Sequence, residues 1–190
     1  MKAFSMVMKT GLWIIAFLLM QQVQACETES GAEQGCIYKD RGIQFSYPHN
    51  WSISDEGSGW LIGPSYVFVE HEESGIVILM IYSNTQAEPL DKFAQGYSNE
   101  ARSGLLLGSF EEGVFSPQER QLESQVHQGL KETFDMLFME ERLPHTREYY
   151  AISSSDKTIF VIMQVADEDM EEGHKGLNRI LGSLRFQTKG

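Results

Sequence analysis

The chain has 190 residues, 42% hydrophobic and 11% aromatic, with 27 acidic against 15 basic side chains and a formal charge of −12. That length suits one domain with a sizeable core. So acidic a surface is repelled by nucleic-acid phosphate and by anionic lipid, so no nucleic-acid partner is expected and solubility is the simplest meaning of the charge.

Residues 1–25 read as a secretory signal. MKAFSMVMKT carries Lys2 and Lys9 and no acid, Gly11–Met20 is a continuous apolar run, and QQVQA ends on the small Ala25. The run is shorter than the roughly 20 residues of an ordinary membrane span; a retained anchor helix is the alternative. Removal of these residues takes away two lysines and no acid, moving the charge from −12 to −14. Cleavage after Ala25 leaves Cys26 first, so VQAC also resembles a lipobox, with Gln24 a poor fit. Either Cys26 pairs with Cys36 in an oxidising compartment or it is lipidated, and only lipidation would bring a membrane into the protein's partners. Both alternatives place the protein outside the cytoplasm, in the periplasm or as an anchored envelope lipoprotein.

Residues 26–36 (CETESGAEQGC) read as a polar leader and 37–190 as a single domain. Ile37–Lys39 and Ile43–Tyr47 flank Asp40-Arg41-Gly42, a hairpin turn by composition. Pro48-His49-Asn50 then breaks the pattern before Trp51–Ser54, and the break reads as a corner that leaves His49 exposed. DEGSG is expected as a turn, followed by short strands at Trp60–Ile62 and Tyr66–His71. Gly75–Ser83 (GIVILMIYS) is apolar at nearly every position, as in a strand covered on both faces.

A helix is expected over about 89–103, where Leu90, Phe93, Ala94, Tyr97 and Ala101 share one face. From Leu105 to Arg147 the pattern is hard to read. Leu105–Phe110 suits a strand; beyond it composition favours helix, but Gly129 and the scattered Val126, Leu130, Phe134 and Met136 favour two strands. REYYAISSSDKTIFVIMQV reads as two strands around a Ser-Ser-Asp-Lys turn. A last helix over about 170–184 follows a run of acids and carries Leu177, Ile180, Leu181 and Leu184 on one stripe. Strands that do not alternate with helices make this an α+β chain: an α/β/α sandwich with a central, mostly antiparallel sheet and two main helices.

Catalytic motifs are missing from the sequence. There is no G-x-S-x-G, no S-x-x-K, no Walker loop and no G-x-G-x-x-G, so no catalytic residue and no cofactor is assigned and the protein is not expected to be an enzyme. The histidines (His49, His71, His127, His145, His174) form no metal-ligand spacing, and no metal site is assigned. Glu70-His71-Glu72-Glu73 reads as a solvated turn. Glu171 and His174 stand i, i+3 on the last helix and could face each other; the acids Asp167–Glu172 read as helix N-terminal charge, with weak divalent-metal binding as the rival. Tyr149 and Tyr150, as strand neighbours, point to opposite faces, which makes them candidates for a partner surface.

GIQFSYPHNWSIS, the IVILMIYS strand, the PLDKFAQGY helix and the closing IFVIMQV and LNRILGSLRF together resemble the PsbP-like superfamily, which includes PsbP, Mog and DcrB-like proteins. The likeness covers about residues 37–187. It implies the α/β/α sandwich and a non-catalytic binding or assembly role, here in an exported bacterial member whose partner would be an envelope protein that the sequence does not name.

Overall fold

The computed structural model describes residues 35–58, 64–104, 109–123, 125–138 and 141–187. The signal segment, Cys26, Trp60–Ile62 and the start of Leu105–Phe110 lie outside the described residues.

Strand β1 (Gly35–Asp40) and β2 (Ile43–Pro48) form an antiparallel hairpin. Both turn residues, Arg41 (φ 55°) and Gly42 (φ 75°), are left-handed, the signature of the two-residue turn that matches strand twist. β1 begins two residues inside the segment read as leader, because Cys36 packs into the core at 2% exposure. β2 leaves this small sheet at Pro48, and β3 (Trp51–Ser58) enters the large one. The Pro48–Asn50 break is thus the corner between two sheets, with His49 exposed.

β3 runs through the Asp55–Ser58 segment expected as a turn. A bulge between Ile53 and Asp55 shifts its register against β4 (Ser65–His71), which keeps apolar Ile53 on one face and polar Asp55 on the other. β5 (Gly75–Ser83) lies next to β4, then helix α1 (Leu90–Gly104) follows. Where described, the region from 105 to 147 is built from strands and their short connections: β6 (Ser109–Phe110), β7 (Val114–Leu122), β8 (Gln125–Phe138) and the start of β9 (Glu141–Ser153). β10 (Lys157–Ala166), a 3-10 turn at Asp167–Asp169, α2 (Met170–Ser183) and the short β11 (Arg185–Phe186) complete the described elements.

The large sheet runs β3-β4-β5-β10-β9-β8, with β6 and β7 both on the outer edge of β8, and its described pairings are antiparallel. The two most apolar strands, β5 and β10, are neighbours at its centre. On one face Val77, Leu79, Val161 and Met163 pack with Leu177, Ile180 and Leu181 of α2 and with Tyr38, Phe45 and Tyr47 of the small sheet. On the other, Ile78, Phe160 and Ile162 pack with Phe93 and Ala94 of α1, the Phe93 ring stacked on Phe160 at 3.8 Å. The chain is α+β, mostly antiparallel sheet with two helices close to the expected bounds. Among the described residues, no helix is long and apolar enough to cross a membrane.

The corner and α2 meet at Trp51, which is 3% exposed. A Cβ on Gly176 would stand 2.5 Å from the Trp51 ring, whereas one on Gly96, in α1, would meet nothing among the described residues within 4 Å. Alanine gains about 1 kcal/mol over glycine inside a helix, but overpacking a rigid ring costs about 1–3 kcal/mol. Gly96→Ala is therefore expected to stabilise the domain by up to about 1 kcal/mol and Gly176→Ala to destabilise it. Denaturant unfolding of the two variants checks the opposite signs.

Candidate functional site

The densest chemistry of the described residues lies on four consecutive positions of β9: Arg147, Glu148, Tyr149 and Tyr150. All four are buried. Alternation along a strand sends Arg147 and Tyr149 to the α1 face and Glu148 and Tyr150 to the α2 face. Each face is closed by its own carboxylate network.

On the α1 face the carboxylate is Glu132 of β8, directly across the ladder from Arg147. It accepts hydrogen bonds from Ser98 Oγ of α1 (2.5 Å), Tyr149 OH (2.5 Å) and Arg147 Nη1 (3.3 Å). Arg147 and Glu132 are each only 1% exposed. Arg147 Nε donates to Gln164 Oε1 at 2.6 Å, while Nη2 has no hydrogen-bond partner among the described residues. Aromatic rings surround the guanidinium instead, with Phe134, Phe110 and Tyr97 at 4.2, 5.0 and 5.6 Å from its central carbon.

On the α2 face the carboxylate is Glu148 itself. Arg120 Nη2 and Tyr150 OH each donate to Oε2 at 2.6 Å, and His174 Nε2 lies 2.9 Å from Oε1. Arg120 also donates to Tyr150 OH (3.1 Å) and to Asn178 Oδ1 of α2 (2.8 Å). It reaches across β8 because Gly129 stands opposite Tyr150. A Cβ there would lie 2.6 Å from the Tyr150 ring, so the ring lies over bare backbone.

Burial by itself would raise the Glu148 pKa. The hydrogen bonds from His174, Tyr150 and Arg120 overcome that and hold it at about 2. Burial, reinforced by the carboxylate each one serves, pushes the Tyr149 and Tyr150 hydroxyls above their ordinary range. Both remain protonated donors to their carboxylates.

The structure moves several residues from where the sequence placed them. Tyr149 and Tyr150 do point to opposite faces, but neither reaches the surface, at 0% exposure each; the reason is that β9 is covered on both sides. His174 faces Glu148 on the sheet, while Glu171 points to solvent and pairs with Lys175 at 3.4 Å. Glu72 and Glu73 are exposed in the turn after β4, where His71 Nδ1 accepts the Glu73 N–H at 3.2 Å. Asp167 accepts from Thr146 Oγ1 at 2.8 Å. Glu172 accepts from Asn50 Nδ2 (3.0 Å), Lys175 Nζ (3.0 Å) and Trp51 Nε1 (3.4 Å), bonds that hold its pKa at about 2 and pin the Pro48–Asn50 corner to α2. Among the described residues no three His, Cys, Asp or Glu side chains converge as a metal site. Cys36 is buried in β1, and its expected partner Cys26 lies outside the described residues. Reading the sequence missed Glu132, Glu148, Arg120 and Arg147; the available signal was the pair Arg147-Glu148 beside two tyrosines in a strand neighbouring one that is apolar throughout.

The solution structure of cyanobacterial PsbP from Synechocystis sp. PCC 6803 superposes with a TM-score of 0.50 at 16% identity, covering 83% of this chain and 95% of that one. The fold is PsbP-like. A Bacteroides thetaiotaomicron VPI-5482 crystal structure matches at TM-score 0.48 and 11% identity over 78% of this chain, which spans only 46% of that longer chain. LpqN of Mycobacterium tuberculosis, described as involved in cell envelope biogenesis, matches at TM-score 0.39 and 12% identity over 83% of this chain and 93% of that one. No protein-family profile and no curated protein matches this chain.

Glu148 is lowered from an ordinary value of 4.5 to about 2, so its contribution to stability is full above pH 4.5 and is lost as pH falls through 2. Glu148→Gln leaves Arg120 without its carboxylate and is expected to cost about 3 kcal/mol. It is also expected to flatten the fall of stability with acid over that window. Urea unfolding of both proteins at a series of pH values measures both effects.

Proposed function

We propose that the protein is an exported cell-envelope protein that works without catalysis, as a protein-binding or assembly module built as an α/β/α sandwich. The observation that carries this reading is the closed state of the two β9 networks. Buried carboxylates and arginines are the groups from which a catalytic centre would be drawn, and here the acids meet donors from the domain's own helices and strands. They tie α1, α2, β7, β8 and β9 together. The PsbP-like fold agrees with a scaffold whose outer surface does the work, and residues 1–25 support export.

Within this reading Cys26 follows the signal segment and pairs with Cys36, whose burial in β1 suits a structural role; lipidation of Cys26 is the alternative. Intact mass of the mature protein separates them: loss of two hydrogens supports the disulfide, and added acyl mass supports the anchor. Crosslinking in intact cells followed by mass spectrometry is expected to recover one defined envelope protein. Recovery of abundant bystanders alone would overturn the binding role.

A further inference from the structure

The α1 face of the large sheet is covered unevenly. α1 lies over β8, β9 and β10, with Ser98 on Glu132, the Tyr97 ring edge-on to Tyr149 and Phe93 on Phe160. The contacts of β4 among the described elements are chiefly with β3 and β5, its neighbours in the sheet. Tyr66 and Phe68 of β4 and Ile76 and Met80 of β5 therefore stand half-buried on this face, over the buried Ile78 and Phe160. The register aligns them side by side, Tyr66 with Met80 and Phe68 with Ile78, and the Tyr66 and Phe68 rings lie 5.2 Å apart. Gly57 of β3 sits opposite Tyr66, whose ring fills the space a Cβ would take.

Two acids share the face. Asp55 is opposite Phe68, and Glu70 is opposite Ile76. Neither makes an ion pair or a side-chain hydrogen bond among the described residues, whereas Glu132 and Glu148, further along the sheet, are fully paired. An apolar strip flanked by carboxylates that have no partner among the described residues, on a chain of charge −12, calls for apolar side chains with positive charges beside them. It disfavours an anionic lipid surface and a second copy of the same acidic face.

We infer that the face of β3, β4 and β5 left uncovered by the described residues is the docking surface of a cationic, amphipathic polypeptide segment, its apolar side on Tyr66, Phe68, Ile76 and Met80 and its lysines or arginines on Asp55 and Glu70. This rests on the protein-binding reading above and specifies its surface. The β7–β8 ribbon at the other edge, with Val114 and Val126 exposed, serves as the control surface.

The test uses the mature protein and fluorescein-labelled amphipathic peptides, one of leucine and lysine and one of leucine and glutamate, read by anisotropy. The leucine–lysine peptide is expected to bind and the leucine–glutamate peptide to bind at least about tenfold more weakly. Asp55→Lys with Glu70→Lys, both away from the core, is expected to weaken the first by about tenfold and to reduce its salt dependence. Met80→Glu is expected to abolish binding, and Val126→Glu to leave it unchanged; circular dichroism confirms each variant folded. Equal binding of both peptides, or insensitivity to the Asp55 and Glu70 reversal, overturns the charged docking surface, as does a dimer in sedimentation that Met80→Glu dissolves. A crosslinked envelope partner whose capture survives Met80→Glu overturns this surface while leaving the binding role intact, whereas absence of any partner removes the role itself.

Discussion

A strand covered on both faces leaves no water for a charged side chain on it, and much of this architecture answers to that constraint. β5 and β10 meet it by being apolar along their length. β9 does not, since it carries Arg147 and Glu148 at its middle, and each has to be neutralised on the face where alternation puts it. The partners come from elements that otherwise have little reason to converge: Ser98 from α1, Glu132 from β8, Arg120 from β7, His174 and Asn178 from α2. Helices and outer strands are placed where those bonds can form. A buried ion pair contributes little net stability over an apolar replacement, but its rupture is expensive because one charge is stranded. The networks fix position more than they add free energy.

The opposite edge of the molecule is organised by shape. The corner after β2 turns the chain from the small sheet into the large one, and Trp51 lands in the gap that Gly176 leaves in α2. Glu172 then accepts from both Asn50 and Trp51, so the helix holds the corner by packing and by charge together. Small sheet, corner and helix form one layer over the strands.

Much of this was legible from residues. GIVILMIYS and IFVIMQV announced central strands by apolar content, Arg41-Gly42 announced a tight hairpin, and both helices carried clear stripes. The β7–β8 ribbon was legible only through Gly129 and the scatter of Val126, Leu130, Phe134 and Met136, since its two faces are both largely polar and neither period stands out. The end of β3 was misread as a turn because DEGSG has turn composition, and pairing with β4 overrode that preference. The β9 networks were the least legible. Alternation predicted correctly that Tyr149 and Tyr150 diverge, but exposure depends on what lies over each face. That cover comes from α1 on one side and from Arg120 and α2 on the other, remote in sequence.

The alternation of charge along β9 has a consequence for how the chain finds its pairing. In a strand apolar on both faces, sliding by one residue exchanges one greasy surface for another, and hydrophobicity says little about which alignment is right. Here the same slip would carry Glu148 onto Glu132 and swing Arg147 toward Arg120, setting like charges together in a dry interior. The four residues therefore act as a key cut on both edges, entering the sheet in one alignment and jamming in the next.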